Sequence, residues 1–94
     1  MQQCEINGAE IHSRAGLHDV LSRTLQLPAW YGRNLDALHD CLTDISTDTI
    51  LYITHPDALR TGLDAYAEIF LQVLTDAAGE NPHFHYEIKE EAAT

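Results

Sequence analysis

The carboxylates Asp36, Asp40 and Asp44 recur every four residues within WYGRNLDALHDCLTDI, residues 30–45. Paired carboxylates can serve as general acid and base, so catalysis is the first chemistry to weigh. Wound at about 100° per residue, this stretch puts Leu35, Leu38, Cys41, Leu42 and Ile45 on one apolar stripe and the three aspartates on the side away from it. Acids on an open, solvated helix face make poor proton shuttles at neutral pH. Like charges at this spacing also repel, by about 0.2–0.5 kcal/mol per pair in an isolated helix. Asp36, in the first turn, is offset by the helix dipole, but Asp40 and Asp44 lie beyond its reach. A helix that only had to fold would more often carry Lys or Arg there. The ridge reads as a binding surface.

The residues leading into this helix fit that reading. Pro28-Ala29-Trp30-Tyr31-Gly32-Arg33 is a loop, with Pro28 fixing its entry. Gly32 is expected to take a backbone angle that other residues resist. Asn34 is expected to cap the helix, its side-chain oxygen accepting from the first free amides. At least one of two consecutive loop aromatics should be exposed. Aromatic anchors beside well-placed charges are the material of interface hot spots.

Other candidate chemistry is thinner. Cys41 points inward on the same wheel, so it is no nucleophile, and Cys4 and Cys41 read as buried, reduced thiols. No glycine-rich phosphate cradle is present, and the chain is not expected to be an enzyme. Among six histidines, His83 and His85 share a strand face with Glu87. Same-face neighbours on a strand lie about 7 Å apart and can still converge on an ion. An ordinary solvated edge is the better reading, so no metal and no cofactor are expected.

Fifteen acidic residues against five basic ones give a net charge of −10. Such a polyanion repels nucleic acid and anionic membranes and attracts cationic proteins. Neither a long apolar run nor a charged-then-apolar leader is visible, so no membrane span and no signal peptide are expected. The implied setting is cytoplasmic.

These groups are positioned by a short series of elements. Gln2–Ile6 alternates weakly and reads as a strand, closed by Asn7-Gly8. Ser13 can cap a helix carrying Leu17, Val20, Leu21 and Leu25 at helical spacing. After the acidic helix, Thr49–Thr54 is a β-branched run expected to be a central strand buried on both faces. Pro56 should open a short helix near Asp57–Arg60 that Gly62 ends. A longer helix over Leu63–Ala78 turns Leu63, Tyr66, Phe70, Val73, Leu74 and Ala77 inward, with Gly79 as its C-cap. His83–Lys89 alternates as a half-exposed edge strand. The order predicts a single α/β domain over residues 1–90 with a frayed tail at 91–94. It is a small three-stranded parallel sheet packed with three main helices and one short helix.

At residues 30–45 the chain resembles the barstar family, intracellular protein inhibitors of barnase-type ribonucleases. The resemblance extends over INGAEIHS, LHDVLSRTLQLP and LQVLTDA, and so over nearly the whole chain. It implies a ribonuclease inhibitor; the alternative is an acidic interaction module whose cationic partner is no ribonuclease. A ribonuclease site holds a phosphodiester with Arg, Lys and His, and a carboxylate offered by a helix can occupy the phosphate position. The resemblance assigns that part to Asp40, with Asp36 on a neighbouring basic or amide group. It places Trp30 against the catalytic base, with Tyr31, Gly32, Asn34 and Thr43 in the contact set. On the last helix, Val73 takes an apolar contact and Asp76 an acidic one. The implied partner is a basic, secreted ribonuclease of the barnase type, bound one-to-one, with the inhibitor monomeric when free.

Three residues depart from the family's best-known member. His39, within the contact set, replaces a tryptophan; Arg33 reverses an acidic position; Ile45 replaces another tryptophan. Arg33 facing a basic enzyme introduces repulsion, so a partner with a compensating acidic or neutral patch is expected.

Overall fold

The computed structural model describes residues 1–89; the expected frayed tail at 91–94 lies outside the described residues. Three parallel strands form one sheet in the order β1-β2-β3, namely β1 (Gln2–Asn7), β2 (Thr49–Thr54) and β3 (Phe84–Lys89). Among the described residues four helices accompany it: α1 (Arg14–Thr24), α2 (Leu35–Thr43), α3 (Pro56–Leu63) and α4 (Ala65–Glu80). A 3-10 turn at Gly8–Glu10 follows β1. The α/β architecture expected from the sequence is the one observed.

Period-two patterning sets the faces of the sheet. Cys4, Leu51 and Tyr86 stand side by side in register, as do Ile6, Ile53 and Ile88. These rows face the core with Thr49 and Phe84. The intervening rows, Gln3-Ile50-His85 and Glu5-Tyr52-Glu87, are exposed or half-buried. So β2 is central but not covered twice. Parallel sheets usually carry helices on both faces; here one face is left partly open, and the Lys89 ammonium lies 4.1 Å from the Tyr52 ring centre on it.

Helix boundaries depart from expectation where packing overrides local signals. α3 runs through Gly62 to Leu63. A Cβ at Gly62 would sit 2.4 Å from the Ile11 carbonyl oxygen, so glycine permits close approach there and does not stop the helix. The break comes at Asp64, whose φ is 51°, and α4 begins at Ala65, which leaves Leu63 on α3. α4 likewise passes through Gly79 and is capped at Asn81. It buries Ala67, Phe70, Leu71, Leu74 and Ala77, with Tyr66 and Val73 half-buried at its flanks. β3 starts at Phe84, one residue later than expected, where the chain leaves the Asn81 turn: Asn81 accepts from the His83 amide through Oδ1 at 2.9 Å and from the Phe84 amide through its carbonyl at 3.1 Å.

A candidate protein-binding face on α2, α4 and the loop before α2

The loop between α1 and α2 divides its two aromatics. Trp30 is 74% exposed and Tyr31 only 6%. The Tyr31 hydroxyl bonds Nδ1 of His18, a buried residue of α1. Nε2 of His18 lies 2.8 Å from the Tyr66 hydroxyl on α4. Burial lowers the proton affinity of His18, and the Arg33 cation lowers it further; burial also pushes the Tyr31 hydroxyl above its ordinary range. Tyr31, expected in the contact set, is thus buried in the free protein. Its hydroxyl is satisfied inside the protein, and it acts on the face by anchoring the loop that presents Trp30.

Gly32 does not take the left-handed angle expected of it. Arg33 does, with φ of 56°. What Gly32 supplies is room, since a Cβ there would lie 3.2 Å from Asn34 Nδ2 and 3.3 Å from Ala37 Cβ. Arg33 is ion-paired with Asp19 of α1. The reversed charge in the loop thus has its counterion within the same chain. Asn34 is the helix cap, its Oδ1 accepting from the Ala37 amide at 2.8 Å while Nδ2 donates to the Gly32 carbonyl at 3.2 Å.

On α2, Leu38, Cys41 and Leu42 are buried, while Asp36, Asp40 and Asp44 are exposed. The helix ends at Thr43, earlier than expected, so Asp44 is its C-cap and the half-buried Ile45 lies beyond it. Asn81 explains the stop. Its buried Nδ2 donates to the carbonyls of Leu42 and Ile45, both at 2.9 Å, satisfying acceptors that continuing the helix would have used. The Thr43 hydroxyl donates back to the carbonyls of His39 and Asp40. Trp30 borders a crevice at this end of α2, shared with Pro28, Cys41, Asp44 and Ile45.

α4 packs against α2 and completes the face. Val73 is half-buried, and the exposed Asp76 accepts from Gln72 Nε2 at 2.9 Å. Ile69, one turn earlier, is exposed as well. His39 bridges the two helices through a hydrogen bond between Nε2 and Glu80 Oε2. That bond, with the fields of Glu80, Asp40 and Asp76, raises the proton affinity of His39. A shallow depression of about 550 Å³ lies here, lined by His39, Thr75, Asp76, Gly79 and Glu80. The result is an acidic surface with a shallow dent in it.

Little else among the described residues offers chemistry. Burial raises both thiols, Cys4 and Cys41, and so disfavours their nucleophilic thiolates. Among the described residues, no group of three or more His, Cys, Asp or Glu side chains could hold a metal ion. In particular, Nδ1 of His83 is taken up by Asp48, 2.8 Å away. No helix among the described residues is long and apolar enough to cross a membrane.

The family model described as Barstar (barnase inhibitor) matches residues 1–89. The chain belongs to the barstar family. A protein of Bacillus subtilis (strain 168), named "Putative ribonuclease inhibitor YrdF", is 37% identical over 81 residues, covering 85% of this chain and 89% of that protein. Barstar-family proteins are inhibitors and not enzymes, and ribonuclease inhibition is the general function that membership supports. Within the barstar frame, three residues that shape the face were missed in the sequence: Asn81 and His18 act from beneath it, and Ile69 lies on it. His18 carried a signal, since it follows Leu17 on the inward side of α1. Asn81 carried only the turn-like pair Asn81-Pro82.

Proposed function

We propose that this protein inhibits a basic, secreted ribonuclease of the barnase type by covering its active site in a one-to-one complex, with Asp40 taking the place of the RNA phosphate. The supporting observation is the joint exposure of Asp36 and Asp40 from α2 with Asp76 and Glu80 from α4, on packed helices beside an exposed Trp30. A ribonuclease site gathers cations around a phosphodiester, and carboxylates on a rigid helix meet those cations without further ordering. Asp36 then serves an adjacent basic or amide group, Asp76 a peripheral cation, and Val73 an apolar contact. Trp30 supplies a large, rigid aromatic surface against the enzyme. Gly32, Asn34 and Thr43 contribute contacts at the edge, their side-chain and backbone positions already ordered by bonds within the chain. Inhibition protects the producing cell, which places the protein in the cytoplasm, as a free monomer.

The pairing of Arg33 with Asp19 bears on the choice of enzyme. A cation in the loop would repel a basic partner, but Asp19 offsets it in place. A compensating acidic patch on the enzyme is then no requirement. The test is a titration of the protein into a barnase-type ribonuclease while RNA cleavage is followed. A sharp end point at one equivalent is expected. Undiminished cleavage with excess protein, across such enzymes, would remove the reading and leave an acidic module with another cationic partner.

A further inference from the structure

Among the described residues His39 is the one basic side chain lining the dent between α2 and α4, and the charges that act on it are acidic. From its own helix it faces Asp40; from α4 it faces Asp76 and Glu80. Thr75 and Gly79 complete the lining, with the Thr75 hydroxyl bonded to Tyr86 of β3. The imidazole is half-buried, while Glu80, its hydrogen-bond partner, remains open to solvent. Glu80 is therefore held by an internal cation but still reachable by an external one.

We propose that His39 is a specificity-determining residue of the binding face, an internal competitor that holds Glu80 until an arginine or lysine of the partner displaces it. The inference rests on the inhibitor reading above, in which the incoming surface is cationic. Protonated His39 and a partner guanidinium cannot both sit against Glu80 without repelling each other. Docking therefore favours neutral His39, and the proton leaves to solvent as the partner's cation takes over the carboxylate. Glu80 thus exchanges one cationic partner for another. A partner able to offer a cation at this point is selected over one that cannot. By linkage, complex formation releases up to one proton from His39, and affinity falls as pH drops through the His39 titration.

The readouts are the titration of His39 and the pH dependence of binding. The His39 ring protons are followed by NMR in the wild type and in Glu80→Gln, an exposed substitution that leaves the core untouched. The midpoint should drop in the variant; an unchanged midpoint overturns the pairing and leaves the inhibitor reading intact. Binding to barnase, the probe enzyme, is then measured between pH 5.5 and 8.5 for wild type and His39→Gln. Below the His39 midpoint, wild type should lose affinity relative to His39→Gln by up to about tenfold per pH unit, the limit for one linked proton. Parallel pH profiles, or a wild type that gains affinity in acid, overturn the proposal. If neither protein binds at any pH, the inhibitor reading falls, and this inference falls with it.

Discussion

His18 and His39 lie on neighbouring parts of the same site and are tuned in opposite directions. His18 sits beneath the recognition loop between two tyrosine hydroxyls, and burial there disfavours its charged form. His39 sits on the rim between α2 and α4, where Glu80, Asp40 and Asp76 favour its charged form. One imidazole behaves as a core group and the other as part of an electrostatic surface. On the proposed reading the difference separates two jobs: the buried anchor fixes where Trp30 stands, and the acidic rim sets what the face attracts. Changes at the anchor should therefore cost folding, and changes at the rim should cost binding.

The largest effect expected is Tyr31→Ala. Removing a buried aromatic side chain costs about 3–5 kcal/mol, and denaturant melts should show the loss. A midpoint near that of wild type would mean that Tyr31 is no anchor.

Asp40→Ala should do the reverse. Its removal creates no cavity and relieves repulsion from Asp36 and Asp44, so the melting curve should hold or rise slightly. In the complex it strands enzyme cations, a loss of about 2–5 kcal/mol seen mainly as faster dissociation, in a range that includes measurements on the barnase–barstar pair itself. Wild-type binding by this variant would remove phosphate mimicry as the mechanism.

A finer probe of the anchor is Tyr31→Phe, which keeps the ring and deletes the bond to His18. An unpaired buried nitrogen costs about 1–3 kcal/mol, again read as stability.

The pH dependence of folding sharpens the contrast without any partner. The folded-state pKa of His18 is depressed, so its stabilising contribution is present above the ordinary histidine pKa and lost as pH falls through the lowered value. The folded-state pKa of His39 is raised, so its contribution is present below the ordinary value and lost as pH rises through the higher one. Stability curves should accordingly flatten on the acid side in His18→Gln and on the neutral side in His39→Gln. The second change should be small, because solvent screens an exposed pair. The same sign of change in both variants would break the comparison.

Arg33→Gly should matter least. It relieves a left-handed angle worth about 1 kcal/mol and forfeits an exposed ion pair worth about 0.2–1 kcal/mol. Thermal melts should shift by a few degrees at most. A large loss would show that the Arg33–Asp19 pair is structural.

Much of this was legible in the residues. Ser13 and Asn34 cap α1 and α2 as read, each accepting from the amide three residues on. The inward stripe Leu38, Cys41, Leu42 and the outward row Asp36, Asp40, Asp44 followed from helical periodicity alone. What failed were the glycines and the helix ends. Gly62 and Gly79 look like stops in the sequence, yet both lie inside helices. Gly32 looks like a left-handed position, yet Arg33 takes that angle. A local signal reports what a residue permits, whereas the neighbour that uses the permission can lie far away in the chain.

The sequence by itself determined the alternation of the strands, the acidic face of α2 and membership of the barstar family. Each of these is written within a few turns of chain or in an extended motif, so no distant contact is needed to read it. Only the tertiary structure decided which loop aromatic turns inward, where α2 stops and which charges are neutralised internally. Tyr31 with His18 and Tyr66, Asn81 with Leu42, Arg33 with Asp19, and His39 with Glu80 all join residues from different elements. Their energies depend on distance and burial, and folding alone sets both.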